Sequence, residues 1–395
     1  MFRIISTILK GKAKAALGKP LDGNERFLLT SLYSKTDRIA SAIVANNVHP
    51  KLLDQNYDFV KLTESVEANL ELFEILLDRF PSFDAALAPS WLGLAGNGLE
   101  ELGTSMRITP MVDPTPYKFA LDKFPLEKLS FPENTGYLEK QIRLICEIQD
   151  RYAMNAPPIV LGAFDLAMLL RGEKLITDFR LYRDYQKASN ETIKHKIEKK
   201  GDPNFFPRLL EYTTKISIYI GNMYKSQGAN MLGIVITDQY ANPPLMSPDD
   251  FLTYIYPYVE KVWKEFKRYR PTVGYMPPSP SVSEQITDYP ALSGIASFNN
   301  YMFPQNEVGL TPAEYDAQMV ELSKKTKIAY QFIIHGKFLR DCTEKELEKE
   351  LVRVCNLVMK DNIPLSFGLV SVPLGTDLSK VDKVIEVIKE YGVYD

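Results

Sequence analysis

Short apolar, β-rich runs recur along the chain, and each leads into a stretch whose apolar positions return at helical spacing. The runs are Arg38–Asn47, Phe83–Trp91, Pro158–Phe164, Met231–Asp238, Thr272–Met276, Gly294–Asn300, Ile328–His335 and Leu365–Val372. Pro207–Gln227 and Pro248–Tyr269 read as long helices. The helices after the last three runs carry start signals: Thr311-Pro312, Thr343 with Glu346 in capping-box form, and Asp377 or Ser379. Strands alternating with helices predict an α/β protein with a parallel sheet, and eight units match the count of a (β/α)8 TIM barrel. An open doubly wound sheet is the competing architecture, but no run leads into a GxGxxG turn or a Walker-type loop. Prolines fall one or two at a time at the starts of apolar runs, so no linker divides the chain. The expected organisation is an N-terminal helical extension over residues 1–35, packed on a barrel over residues 36–395.

Composition changes this picture little. With 395 residues, 45% hydrophobic and 25% charged, the chain reads as ordinary soluble protein. A net charge of −3 offers no basic surface for phosphate backbones, so nucleic acid is not an expected partner. Cys146, Cys342 and Cys355 show no CxxC spacing, which argues against a disulfide scaffold or a thiolate zinc knuckle. That usage fits a reducing compartment, and the expected location is the cytoplasm. The opening segment resembles a signal peptide only superficially, because Lys10, Lys12 and Lys14 interrupt its apolar run. A basic, partly amphipathic helix lying against the main domain is expected there, with a membrane-surface anchor as the competing reading. No membrane partner is expected, and a homodimer is allowed.

In a barrel, function gathers at the C-terminal strand ends and the loops after them. Asp238 ends the fourth run after wholly apolar residues, and a carboxylate so placed needs a partner or a purpose. The structural alternative is an ion pair with a lysine or arginine from a neighbouring loop. Asp165 reads as the N-cap of the helix that follows the third run. Of the three histidines, His335 stands at the end of the seventh run, His49 precedes Pro50 after the first, and His195 lies in a charged, solvated segment. Trp91, Phe164, Tyr240, Tyr275, Met276 and Tyr301 make the strand ends aromatic and uncharged. With Asn46 they would line a pocket suited to a flat, weakly charged ring.

Three segments carry a family likeness. Asn24-Glu25-Arg26-Phe27 followed by Asp37-Arg38, then Pro157–Arg183, then Gly228–Val262, resemble the uroporphyrinogen-decarboxylase and corrinoid-methyltransferase superfamily. The likeness runs from about residue 24 to the end and implies the barrel. The chain departs from two branches of that superfamily. The first run ends Ala45-Asn46-Asn47-Val48-His49-Pro50, where decarboxylases carry arginines that grip substrate carboxylates. Val273-Gly274-Tyr275-Met276 and Leu369-Val370-Ser371 stand where zinc-thiol methyltransferases carry their histidine and cysteines.

A third branch, the methyltransferase component of anaerobic aryl-ether O-demethylases, is more similar. Its zinc motif E-x14-E-x20-H is matched here by Asn299-x14-Glu314-x20-His335, with asparagine in place of the first glutamate. The resemblance implies that these three residues converge on zinc beside an open coordination position. It also implies an enzyme that moves a methyl group from a methoxylated aromatic to the cobalamin of a partner corrinoid protein. His335, Asp238 and Tyr240 would be its catalytic groups. Cofactor-free decarboxylation of a porphyrinogen is the alternative activity, and a non-catalytic barrel subunit is the alternative from another class.

Overall fold

All eight apolar runs become strands of one parallel sheet. The computed structural model of the chain describes residues 2–87, 90–152, 156–238, 240–241, 245–273, 297–301, 311–334, 336–369 and 371–394. Its strands are β1 (Ala40–Val44), β2 (Ala85–Leu87), β3 (Ser105–Thr109), β4 (Val112–Lys118), β5 (Ile159–Leu161), β6 (Val235–Thr237), β7 (Thr272–Val273), β8 (Ser297–Tyr301), β9 (Ala329–Ile334) and β10 (Leu365–Leu369). The large sheet runs β2-β1-β10-β9-β8-β7-β6-β5. Successive strands of that sheet pair with one another except β2 and β5, which stand at the two ends of its order, and β1 pairs with β10, Ala42 opposite Gly368. That circular order is the (β/α)8 barrel; a doubly wound sheet would reverse direction once.

Side-chain alternation sorts the strand residues into two layers. Ile39, Ile43, Phe332, Leu365, Phe367 and Leu369 join the large cluster formed with the surrounding helices. Phe332 and Phe367, in register on β9 and β10, meet edge to face at 5.4 Å. Ala40, Ala42 and Ala85 form a separate inner cluster with Phe27. Small residues on that inner face leave room for Phe27, which the helix Gly23–Ser31 brings to the N-terminal end of the barrel.

That helix explains the first family-like segment. Asp22 and Glu25 form its capping box, and Arg26 is buried beneath it. The Arg26 guanidinium donates to Asp84 at the start of β2, to both oxygens of Asp37 and to the Leu21 carbonyl. Arg38 donates to the same Asp84 carboxylate at 3.0 Å through two nitrogens. Ser41 of β1 adds its N–H and hydroxyl. Two arginines thus face two aspartates in a neutral buried set. Burial raises Asp37, but the bonds and charge from Arg26 outweigh it and hold the carboxyl below its ordinary value.

Three features differ from the sequence expectation. Pro248–Tyr269 is not one helix: a short turn at Pro248–Asp250 passes into a π-helical turn, Phe251–Ile255, before the α-helix Tyr256–Phe266. Pro257 has no N–H for the usual helical bond, and its ring crowds the preceding turn, which widens. Gly221 in the helix Phe205–Ser226 then admits Phe266, whose ring lies 2.3 Å from where a Cβ would stand. Second, β3 and β4 form an antiparallel hairpin that the hydrophobic pattern did not reveal. Pro114 and Pro116 read as loop punctuation, yet a two-stranded ribbon has free edges that tolerate them. Third, strand ends are trimmed: Arg38–Asn47 contracts to Ala40–Val44, and its tail becomes the 3-10 turn Ala45–Asn47.

The buried arginine–aspartate set generates a test. Asp84→Ala should destabilise the protein by about 3–5 kcal/mol, because it takes the carboxylate from the largely buried Arg38 and removes one of the two that Arg26 faces. Urea unfolding measures this, and a loss below about 1 kcal/mol would reduce the set to the worth of a surface pair. Because Asp37 is held low, its contribution is present above the unfolded value near ~4 and is lost as pH falls through the lowered folded value.

Candidate active site

The helix Ala163–Arg171 begins directly after β5 with Gly162 at its N-cap, and that glycine offers no side-chain acceptor. Its first N–H groups therefore need a partner from elsewhere. Asp238, the residue after β6, supplies it. Asp238 Oδ1 accepts from the Phe164 N–H at 2.9 Å and from the Asp165 N–H at 3.0 Å. Asp165 returns the arrangement, its Oδ1 accepting from the Tyr240 N–H at 2.7 Å. Leu161 and Thr237 are register partners, so the two adjacent strand ends are locked crosswise by the two carboxyl groups.

Gly162 makes this crossing possible. A Cβ there would stand 1.9 Å from Asp238 Oδ2. Oδ2 itself is buried and has no hydrogen-bond partner among the described residues. Burial raises the Asp238 pKa well above its ordinary value, and the neighbouring Asp165 charge raises it further; the bonds from the helix N-terminus only partly offset this. The two carboxyl groups titrate together, and burial shifts Asp238 toward its protonated form. Tyr240 is 39% exposed beside them, its phenol kept protonated by burial and by the Asp165 charge.

Two sequence expectations are corrected here. The helix after the third run is capped by Asp238 from the next strand, not by Asp165. The partner of Asp238 is a helix N-terminus with a second carboxyl, and no lysine or arginine pairs with it among the described residues. A legible signal for this existed: a helix opening Gly-Ala-Phe-Asp has no serine, threonine or asparagine cap and must borrow an acceptor.

The other expected site residues that are described lie on several elements. Trp91 is fully buried, donating its indole N–H to the Val48 carbonyl at 2.8 Å, and so ties together the segments that follow β1 and β2. Phe164 is equally buried and belongs to the main core. Asn46 lies in the 3-10 turn after β1. Tyr301 ends β8, and Asn299 lies at its middle, level with Gln331 and three residues short of the end of β9, a rise of about 10 Å. Glu314 is exposed and occupied: its Oε2 accepts from the Thr311 N–H and hydroxyl at 2.8 and 2.7 Å. Those bonds hold its carboxyl below the ordinary value. Through that oxygen it serves the helix Pro312–Thr326 as the acidic half of a capping box. His335, Tyr275 and Met276 lie outside the described residues.

Of the remaining histidines, His195 is exposed on a surface helix beside Glu198. His49 caps the helix Pro50–Leu53, its Nδ1 accepting from the Lys51 N–H. Its Nε2 therefore carries the proton and meets the Met111 carbonyl at 3.3 Å, joining the segment after β1 to the tip of the β3–β4 hairpin. Burial holds the His49 imidazole below its ordinary pKa.

The crossing at Gly162 is directly testable. Gly162→Ala should cost roughly 1–3 kcal/mol of stability, because the methyl group displaces the Asp238 carboxylate from the helix it caps. The double variant Gly162→Ala with Asp238→Ala should recover part of that loss in thermal unfolding, since the clash is then absent.

The uroporphyrinogen decarboxylase (URO-D) family model matches residues 23–391. No curated protein matches the chain by sequence. Among solved structures, a methyltransferase from Methanosarcina mazei superposes with a TM-score of 0.67 at 16% identity, covering 94% of this chain and 99% of that one. At that identity the likeness speaks to the fold, which is the same barrel. No helix among the described residues is long and apolar enough to cross a membrane. The family match spans nearly all of the barrel and its Arg26–Asp37–Arg38 base, and the chain belongs to the uroporphyrinogen decarboxylase family.

Proposed function

We propose that the chain is a methyltransferase that demethylates a methoxylated aromatic and delivers the methyl group to the corrinoid of a partner protein. The observation that carries this reading is the buried Asp165–Asp238 pair at the ends of β5 and β6. Transfer of a methyl group from an aryl ether breaks the oxygen–methyl bond and leaves its electron pair on oxygen. A phenolate departs poorly unless it gains a proton as the bond breaks. A buried carboxyl shifted toward its protonated form, with the Tyr240 phenol beside it, would supply that need. Tyr240 donates to the departing oxygen and recovers its proton from the pair. Cobalt in its nucleophilic state accepts the methyl group.

A buried acidic pair also disfavours a polycarboxylate substrate, and the segment Ala45–Pro50 after β1 contains no arginine to offset it. Porphyrinogen decarboxylation is the second reading, favoured by the family that matches residues 23–391. Robust conversion of uroporphyrinogen to coproporphyrinogen by the purified protein would establish it and set aside the methyl-transfer reading.

The direct assay is methylation of cob(I)alamin by the purified protein across a panel of methoxylated aromatics. Asp238→Asn mimics the protonated acid and keeps its shape, so the rate should fall about 10²–10⁴-fold. Tyr240→Phe should fall comparably. Stability should move the other way. A carboxyl held high in the folded state contributes full stability below its unfolded value near ~4 and loses it as pH rises through the folded value. Asp238→Asn should therefore melt at or above the wild-type temperature at neutral pH, with the gap closing in acid. A large fall in melting temperature with unchanged activity per folded molecule would make Asp238 purely structural.

A further inference from the structure

The helix Phe2–Ala16 lies against the helix Gly23–Ser31 by one side only. Gly11 is its buried position, close to Glu25 and Leu29, and Lys14 pairs with Glu25 at 2.7 Å. The opposite side faces solvent. Ile5 is 48% exposed and Leu9 62%, and with exposed Ala16 they fall on one stripe of a 3.6-residue helix. Leu17, just past the helix, is 69% exposed. Exposed leucine and isoleucine gathered on one stripe, rather than scattered, mark an interaction surface.

Charge identifies the partner. Residues 1–21 hold five basic residues, Arg3, Lys10, Lys12, Lys14 and Lys19, and no aspartate or glutamate, although the whole chain carries −3. Lys10, Lys12 and Lys19 are exposed and form no salt bridge among the described residues. The same edge opens onto a cleft of about 700 Å³, with Lys12 and Lys19 among its lining residues and Leu21 and Leu29 along its wall. An apolar stripe flanked by unpaired lysines on an otherwise acidic protein is complementary to an anionic lipid surface. The stripe is too short and too interrupted to span a bilayer, but it suits a helix lying in the headgroup plane.

We propose that this helix docks the protein onto anionic membranes, with Ile5, Leu9 and Leu17 entering the interface and Lys10, Lys12 and Lys19 meeting lipid headgroups. The helix sits at the N-terminal end of the barrel, where Phe27 and Arg26 close it. Docking there leaves the opposite end, with the Asp165–Asp238 pair, facing the aqueous phase. The proposal is independent of the reaction carried out at that end.

The test is co-sedimentation of the full-length protein with vesicles of phosphatidylglycerol and phosphatidylcholine, compared with phosphatidylcholine alone. Binding to the anionic vesicles only, weakening as salt is raised, is the expected result. The triple variant Lys10→Glu, Lys12→Glu, Lys19→Glu should bind at least about tenfold more weakly, and Leu9→Glu should also lose binding. Reversal of Lys196, Lys199 and Lys200, exposed at and just past the end of the helix Glu191–Glu198, changes net charge equally and should leave binding intact. All these positions are exposed, and unchanged melting temperatures would show that folding is preserved. Equal binding to both vesicle types, no binding, or a triple variant that binds like wild type would each overturn the proposal. So would a dimer in sedimentation velocity that Leu9→Glu dissociates, because the stripe would then belong to a second copy of the chain.

Discussion

Asp84 holds the closed end of this barrel together. Its carboxylate receives two arginines and both polar groups of Ser41, and it does so from the residue just before β2. Those bonds join the N-terminal helix, the start of β1 and the start of β2 at one buried point. The arrangement is neutral overall, so its burial costs less than an unmatched charge would, and its geometry admits few substitutes. With Phe27 wedged among Ala40, Ala42 and Ala85 immediately beside it, the barrel is stoppered at one end. The opposite end is thereby left for chemistry, as the fold requires.

At that opposite end the same residue type is used in the reverse sense. Asp84 is saturated with cations, whereas Asp238 receives only backbone N–H groups and faces a second carboxyl. The second environment, buried and beside another carboxyl, favours the neutral acid. Two buried aspartates in one barrel thus have opposite neighbours, arginines around one and a helix N-terminus with a second carboxyl around the other. Gly162 permits the second, since any side chain there would occupy the space of the carboxylate.

The family-like segments separate along the same line. The Arg26, Asp37 and Arg38 segment belongs to the base and lies within the residues that the family model matches. The segments around Gly162 and Asp238 belong to the mouth, where branches of a superfamily differ in reaction. Matching the first says little about chemistry. The second holds the residues on which the methyl-transfer reading rests.

Much of the architecture was legible from the order of residues. Apolar runs at strand length, separated by helical periodicity, located all eight barrel strands, because burial on both faces of a parallel strand leaves a continuous hydrophobic signature. Local rules also identified the capping boxes at Thr311–Glu314 and Thr343–Glu346, since a cap depends on residues three apart. What depended on neighbours in space was not legible. The β3–β4 hairpin was hidden by its prolines, and the π-turn before Pro257 looked like continuous helix. The role of Asp238 was half visible: an aspartate ending an apolar strand demanded a partner or a purpose, with an ion pair to a lysine or arginine as the structural alternative. Only the pairing of β5 with β6 brought it to the uncapped helix at Gly162 and to Asp165, 73 residues away in the chain. Periodicity and caps are properties of a local segment, and these the sequence determined. The protonation state of a buried carboxyl is set by whichever groups the fold brings against it, and that the tertiary structure alone decided.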